Sequence, residues 1–240
     1  MARRVVFAVR SSPTALTVAT FLSIGALATT VVVQAIPSFA QDARALSPER
    51  LTLKGVVADH TTYQGRAAVR LLESDASRDT LGLAVVNGIS FRDGTLDVDV
   101  AGRRGKYAAV DDRGFIGLAF RVSANADRFE YIYLRPENGR VEDQVRRNHS
   151  TQYASHPDFP WPRMRKEWPE KYESYVDLET GAWTHMRIVV SGTTARLFVH
   201  QAAQPVLVVN DLKLGASEGG VALWIGAGTE GYFTNLQVSR

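Results

Sequence analysis

Apolar and polar residues alternate with period two in run after run of this chain, and turn signals separate the runs every 8 to 15 residues from Gly55 onward. Leu96, Val98 and Val100 alternate with Asp97 and Asp99. Ile116, Leu118, Phe120 and Val122 alternate with Gly117, Ala119 and Arg121, and Ile132 and Leu134 oppose Tyr131, Tyr133 and Arg135. Successive side chains of an extended chain point to opposite faces, so each run presents one apolar side. Five further runs close the chain: Trp183 to Val190, Ala195 to His200, Val206 to Asn210, Val221 to Ile225 and Tyr232 to Val238. Their short connections predict antiparallel neighbours. No segment after residue 40 sustains a helical period of apolar residues, which a helix-on-sheet fold would need several times over. The expectation is an all-β chain of two antiparallel sheets packed as a sandwich.

The first 40 residues have a different grammar. Arg3, Arg4 and Arg10 form a basic start, no acid precedes Asp42, and Ala15 to Val33 is apolar apart from Thr, Ser and Gly. Ser38-Phe39-Ala40 then sets small residues at −3 and −1 of a cut before Gln41. This is the order of a secretory signal peptide, and it predicts an exported protein, periplasmic or extracellular. The apolar run is also close to the ~20 residues that span a bilayer, so an uncleaved segment would be a membrane tether. Residues 41 to 54 read as a polar lead-in, and 55 to 240 as the sandwich domain.

Removing the signal changes the charge argument. The whole chain carries 28 Lys and Arg against 25 Asp and Glu, a formal net charge of +3. The signal holds three of the Arg and none of the acids, which leaves 25 of each sign in the mature part. A balanced chain offers no electrostatic reason for nucleic acid or an anionic membrane surface as partner. Cysteine is absent, which excludes disulfides, thiol catalysis and Cys-ligated zinc.

One stretch breaks the alternation. Residues 135 to 175 hold five of the nine prolines, six aromatics from Tyr153 to Tyr175, and His149 and His156. Connections this long are usually functional or disordered, and disordered segments are poor in aromatics. The segment is therefore expected to be an ordered excursion packed over one end or face of the sandwich.

The C-terminal third carries a resemblance. Gly181-Ala182-Trp183-Thr184-His185-Met186-Arg187-Ile188-Val189-Val190, then Ala195-Arg196-Leu197-Phe198-Val199, then Gly219-Gly220-Val221-Ala222-Leu223-Trp224-Ile225 and Gly231-Tyr232-Phe233-Thr234-Asn235-Leu236 follow one another in that order. This series resembles the concanavalin A-like lectin/glucanase superfamily, in particular its LamG-like and 3-keto-disaccharide hydrolase type domains. The segment Arg146-Arg147-Asn148-His149-Ser150-Thr151-Gln152-Tyr153, with His156-Pro157-Asp158-Phe159-Pro160-Trp161, is similar to a block of secreted members. The resemblance implies a jelly-roll sandwich and makes a saccharide the expected ligand. It leaves the function open, because one such fold hosts hydrolases, lyases, lectins and inert modules.

Glycoside cleavage generally takes two carboxyls about 5 to 9 Å apart. Laminarinase-like members carry them as Glu-x-Asp-x-x-Glu on one strand, a motif this chain lacks. Asp97 and Asp99 share a strand face about 7 Å apart, and read as a solvated outer face. A fuller constellation joins Arg121, Tyr131, Tyr133 and Arg135 to the long segment, with Arg146, Asn148, Tyr153 and Trp161 as further ligand contacts. Rings can stack on sugar faces while Arg and Asn bind hydroxyls. The alternative for Tyr131 and Tyr133 is a second small core beneath the segment. Glu137, Glu142 and Asp143 are the candidate acids, with His149 as a base near neutral pH.

His149, His156 and Asp158 match no rigid metal-ligand spacing, and hydrogen-bonding roles are expected for both His. Trp183 and Trp224, inside β runs, are expected in the core, and Trp161 between two prolines is a sugar platform or a lid. No cofactor is expected. Calcium has oxygen ligands to draw on in Asp111, Asp112 and Asp211, without a loop motif to hold them. No nucleophile elbow, HExxH or phosphate loop is present. The leading expectation is an exported carbohydrate-recognising sandwich. A glycoside hydrolase or lyase of the same superfamily and an envelope adhesion module are the alternatives.

Overall fold

The computed structural model describes residues 46–74 and 82–240. The expected signal peptide and its cut site lie outside the described residues. In chain order the strands are β1 (Leu51–Lys54), β2 (Val56–Tyr63), β3 (Arg66–Glu73), β4 (Gly82–Val86), β5 (Gly94–Arg104), β6 (Ile116–Val122) and β7 (Phe129–Leu134), then β8 (Thr151–His156), β9 (Glu173–Ser174), β10 (Thr184–Ser191), β11 (Thr194–Val199), β12 (Leu207–Val209), β13 (Gly220–Ile225) and β14 (Thr229–Ser239). Two short helices, α1 (Gln144–Asn148) and α2 (Trp161–Glu167), lie between β7 and β9. No helix among the described residues is long and apolar enough to cross a membrane.

The strands form two seven-stranded antiparallel sheets. The first runs β1-β4-β13-β6-β7-β8-β9 and the second β12-β11-β10-β5-β14-β3-β2. Alternation decides what lies between them. Leu96, Val98 and Val100 of β5 are at most 1% exposed, as are Met186 and Ile188 of β10 and Ile116, Leu118 and Ile132 of the facing sheet. These belong to one continuous core. At β5 the closing strand passes very close: a Cβ on Gly94, at φ +130°, would collide with the Ser239 carbonyl oxygen, so only glycine fits there.

Three expectations need correction. Of the five C-terminal runs, only β10, β11 and β12 are successive neighbours; β13 pairs with β4 and β6, and β14 with β3 and β5. The short connections into β13 and out of it cross between sheets, because consecutive strands of a sandwich gain as much from facing as from pairing. Residues 51–54, read as lead-in, are strand β1 and pair with β4. The segment 135–175 is more than a covering excursion, since β8 is bonded along its length to β7 and is buried on both faces. Its polar Thr, Gln and Ser hide that role from a hydrophobic pattern.

Candidate functional site

The first sheet buries its outer face as well as its inner one. Tyr131 and Tyr133 point outward from β7, as alternation requires, and small residues on neighbouring strands make room for their rings. Gly117 is level with Tyr133 on one side and Trp224 on the other, and Ala119 lies between Tyr131 and Ala222. A Cβ on Gly117 would collide with the Ile132 carbonyl oxygen. The Tyr131 and Tyr133 rings are 5.6 Å apart at 13°, with Trp224 5.1 and 4.6 Å from them. With Phe129 and Leu83 they make a second apolar layer. Tyr131 and Tyr133 are 3% and 2% exposed, so the alternative of a second small core describes their packing. Burial pushes both phenols well above their ordinary range.

Next to this layer the same face turns polar. Tyr133, Gln152 and Glu173 stand side by side across β7, β8 and β9. Arg135, two residues beyond Tyr133, closes the row. Its guanidinium donates to the Tyr133 hydroxyl, Gln152 Oε1, the His149 carbonyl and Glu173 Oε1, each at 3.0 Å. Arg165 Nε donates to Glu173 Oε2 at 2.9 Å, and His149 Nδ1 lies 3.0 Å from that oxygen without an aligned hydrogen bond. Burial opposes the Glu173 charge, but Arg165, Arg135 and His149 outweigh it and hold the carboxyl below its usual range. Burial lowers the pKa of His149, only partly opposed by Glu173, which keeps the ring neutral near pH 7.

Helix α2 supplies the outer wall. Its Met164 is fully buried in the main core and anchors the helix, while Trp161 and Arg165, four residues apart, share the exposed side. The Arg165 guanidinium carbon lies 4.8 Å from the centre of the Trp161 ring and that of Arg135 5.9 Å. Trp161 is 43% exposed and borders two hollows. One, of about 520 Å³, is floored by Phe129, Tyr131 and Leu83 and walled by His156 and Pro157. The other, of about 330 Å³, is lined by Arg113, Phe115, Arg135, Asn138, Arg146, His149 and Arg165, with Asp111 its one acidic lining residue.

Arg135, Arg146, His149 and Trp161 thus meet at one place, and Tyr131 lies in the adjoining floor. The other sequence candidates lie apart. Arg121 is buried at a different point, bonded to the carbonyls of Arg92, Gly192 and Gly215 and to Asp93. Tyr153 points inward, opposite Ile132, and its hydroxyl donates to buried Glu130 at 2.6 Å. Asn148 lines a smaller hollow of about 200 Å³ beside Glu173 and Tyr175. Asp143 caps α1 by accepting from Arg146 N, Glu142 is exposed, and Glu137 is half-buried; none of the three lines either Trp161 hollow. Sequence reasoning missed Arg113, Asn138, Arg165 and Glu173. The spacing of Trp161 and Arg165 was a readable signal for one of them.

The second sheet's outer face carries its own polar cluster. His185 bridges Asp97 and Asp99 at 3.2 and 2.9 Å, Arg187 binds Asp97 at 2.7 Å, and Arg66 and Asn235 bind Asp99. Burial raises the Asp99 pKa, but Arg66, His185 and Asn235 bring it below its ordinary value. This acid pair is consumed by its own neighbours. Trp183 lies half-buried on this face, with Arg66 4.6 Å above its ring, and Trp224 belongs to the outer layer of the first sheet; neither is in the main core as expected. Both residues obey strand parity, and the parity points them outward. A hollow of about 750 Å³ over β2, β3 and β14 is larger than the other two, but His60 is its one titratable lining residue and the one carbocyclic ring in its lining, Phe233, is sealed in the core.

Asp111, Asp112 and Asp211 each have partners of their own. Asp111 pairs with Arg113, Asp112 accepts from the Ala109 amide, and Asp211 is neutralised by Lys171 and Lys213. No group of three metal-ligating side chains occurs among the described residues.

The architecture defines the class: two seven-stranded antiparallel sheets packed face to face as a jelly-roll β-sandwich. No protein-family model matches the chain, and no curated protein matches it. Among solved structures it is similar to the carbohydrate-binding module CBM66 from Bacillus subtilis, with TM-score 0.52 and 13% identity over 78% of this chain and 98% of that one. A looser likeness, TM-score 0.45 and 11% identity, covers 79% of this chain and 82% of domain 4 of AbnA, an extracellular arabinanase from Geobacillus stearothermophilus in complex with arabinotriose. At these identities the likeness is one of fold.

Proposed function

We propose that this protein is an exported carbohydrate-binding module whose ligand lies across Trp161 and the two hollows it joins. The observation that carries the reading is Trp161 itself: an indole 43% exposed, held at the junction of an apolar hollow and a cationic one by a helix anchored in the core. Sugars present apolar C–H faces and hydroxyl edges, and a ring flanked by fixed Arg, Asn and His donors matches both. The wall is preorganised, since Arg135 spends its four Nη hydrogens on Tyr133, Gln152, Glu173 and the His149 carbonyl and so braces the site rather than donating to the ligand, which lowers the ordering cost of binding. The fold shared with CBM66, a module named for carbohydrate binding, agrees with this reading.

A binding module rather than an enzyme is favoured because the cationic hollow has Asp111 as its one acidic lining residue, whereas glycoside hydrolysis generally uses a carboxyl pair. Calorimetry against a saccharide panel is the test. Binding is expected at micromolar to millimolar affinity and should fall at least about tenfold in Trp161→Ala, with the unfolding midpoint unchanged because the ring is surface-exposed. Failure of every saccharide at millimolar concentration, or an unaltered affinity in Trp161→Ala, would overturn the proposal.

A further inference from the structure

The hollow between α1, α2 and β7 has an electrostatic character that the chain as a whole lacks. Four guanidinium groups, Arg113, Arg135, Arg146 and Arg165, line it against the single carboxylate of Asp111. Glu173 neutralises part of the charge on Arg135 and Arg165 from beneath, yet it does not line the hollow. Counting both acids, two positive charges remain uncompensated. They are concentrated in a cavity with low-dielectric walls, where a field is focused rather than screened.

Arg146 is the decisive residue. Arg135 and Arg165 are held by Glu173, and Arg113 by Asp111 at 3.3 Å. Arg146 makes no ion pair among the described residues. Its Nη2 makes two long contacts of 3.4 Å, to the Glu137 carbonyl and Asn138 Oδ1, and its buried Nε has no acceptor among the described residues. A guanidinium is a planar fork that binds a carboxylate or sulfate through paired N–H groups, and leaving one without an anion in a partly buried wall is costly. Asn138 is held against the His149 carbonyl at 3.1 Å, which fixes the wall behind Arg146.

We infer that this hollow selects an acidic saccharide, seating a carboxylate or sulfate substituent between Arg146 and Arg113 while the sugar ring lies against Trp161. The inference rests on the carbohydrate-binding reading above and adds the chemical class of the ligand. A neutral sugar could use the Trp161 platform, but it would leave Arg146 without a counter-ion.

The test is calorimetry on the purified full chain with matched ligand pairs. Oligogalacturonides are compared with their methyl esters, hyaluronan oligosaccharides with their methyl esters, and chondroitin sulfate oligosaccharides with their desulfated forms. The expected result is that at least one acidic ligand binds about tenfold or more tighter than its neutralised partner. That preference should shrink as NaCl rises from about 50 to about 500 mM, and Arg146→Ala should weaken the acidic ligand more than its neutral partner, so that the ratio of affinities within the pair falls. The first two pairs report a carboxylate and the third a sulfate. The ligand pairs need no variant, so a folding defect in Arg146→Ala would not spoil the result. Equal affinity within every pair, or binding of neutral saccharides alone, would overturn the acidic selectivity and leave carbohydrate binding standing. Absence of any saccharide binding would overturn both.

Discussion

Replacing Glu173 by Gln keeps the side-chain volume and removes the one charge that compensates the floor of the site. Glu173 and Arg135 are 3% and 5% exposed at the side chain, and their ion pair is 3.0 Å long. Removing one partner of a buried pair costs about 3 to 5 kcal/mol, because the other charge remains buried. Arg165 is 37% exposed, so solvent screening reduces its share to below about 1 kcal/mol. The expected loss is therefore about 3 kcal/mol, near the lower bound for Arg135 alone, since Arg135 keeps its bonds to Tyr133, Gln152 and the His149 carbonyl. For a domain of this size that lowers Tm by about 6 to 12 °C. The pH dependence supplies an independent check. The Glu173 carboxyl is held below its ordinary value, so the folded state binds its proton less readily than the unfolded chain does. Its contribution is present above the unfolded value of about 4.3 and is lost as pH falls through the folded value. Urea denaturation followed by tryptophan fluorescence should show the full gap between wild type and Glu173→Gln near neutral pH, narrowing below about pH 4. A gap under about 1 kcal/mol at neutral pH, or one that does not narrow in acid, would refute the reasoning.

Arg121→Met should cost about 3 kcal/mol in urea denaturation, since it strips charged donors from the carbonyls of Arg92, Gly192 and Gly215, while leaving saccharide affinity unaltered. A lost affinity in a stable Arg121→Met protein would return this residue to the ligand site. Gly117→Ala drives a Cβ into the backbone of β7 and should destabilise by about 3 kcal/mol or more; near-wild-type stability would mean β6 and β7 lie farther apart than described. In an NMR pH titration His149 and His156, both depressed by burial, should titrate below the ordinary value of about 6.5. Folded protein then binds these protons less readily than the unfolded chain, and stability should fall as pH drops below that value. Titration of either ring above it would contradict the burial described.

Strand parity was legible residue by residue. It set Leu96, Val98 and Val100 inside and Asp97 and Asp99 outside, and it set Tyr131, Tyr133 and Arg135 on one outer face, because the period-two geometry of an extended chain is local. Arg135, Arg146, His149 and Trp161 could be named as site candidates, since long polar-aromatic connections stand out against a β pattern.

What parity cannot carry is anything that depends on a distant segment returning. Whether β13 follows β12 in its own sheet or crosses to the other is a pairing decision between strands far apart in sequence. The cover that buries Tyr131 and Tyr133, the partners that consume Asp97 and Asp99, and the outward seats of Trp183 and Trp224 are likewise non-local. Arg113, Arg165 and Glu173 come from three separate segments, and only Arg165, four residues after Trp161, is marked by its own neighbourhood. Alternation alone is enough to read a sandwich and the face that most strand residues take, but not Val122, which follows the positive-φ residue Arg121 and joins the outer layer rather than the core side of Ile116, Leu118 and Phe120. That one outer face is sealed with aromatics and rimmed with guanidinium groups emerges on folding, because burial and charge compensation are sums over neighbours that the chain brings together from distant segments.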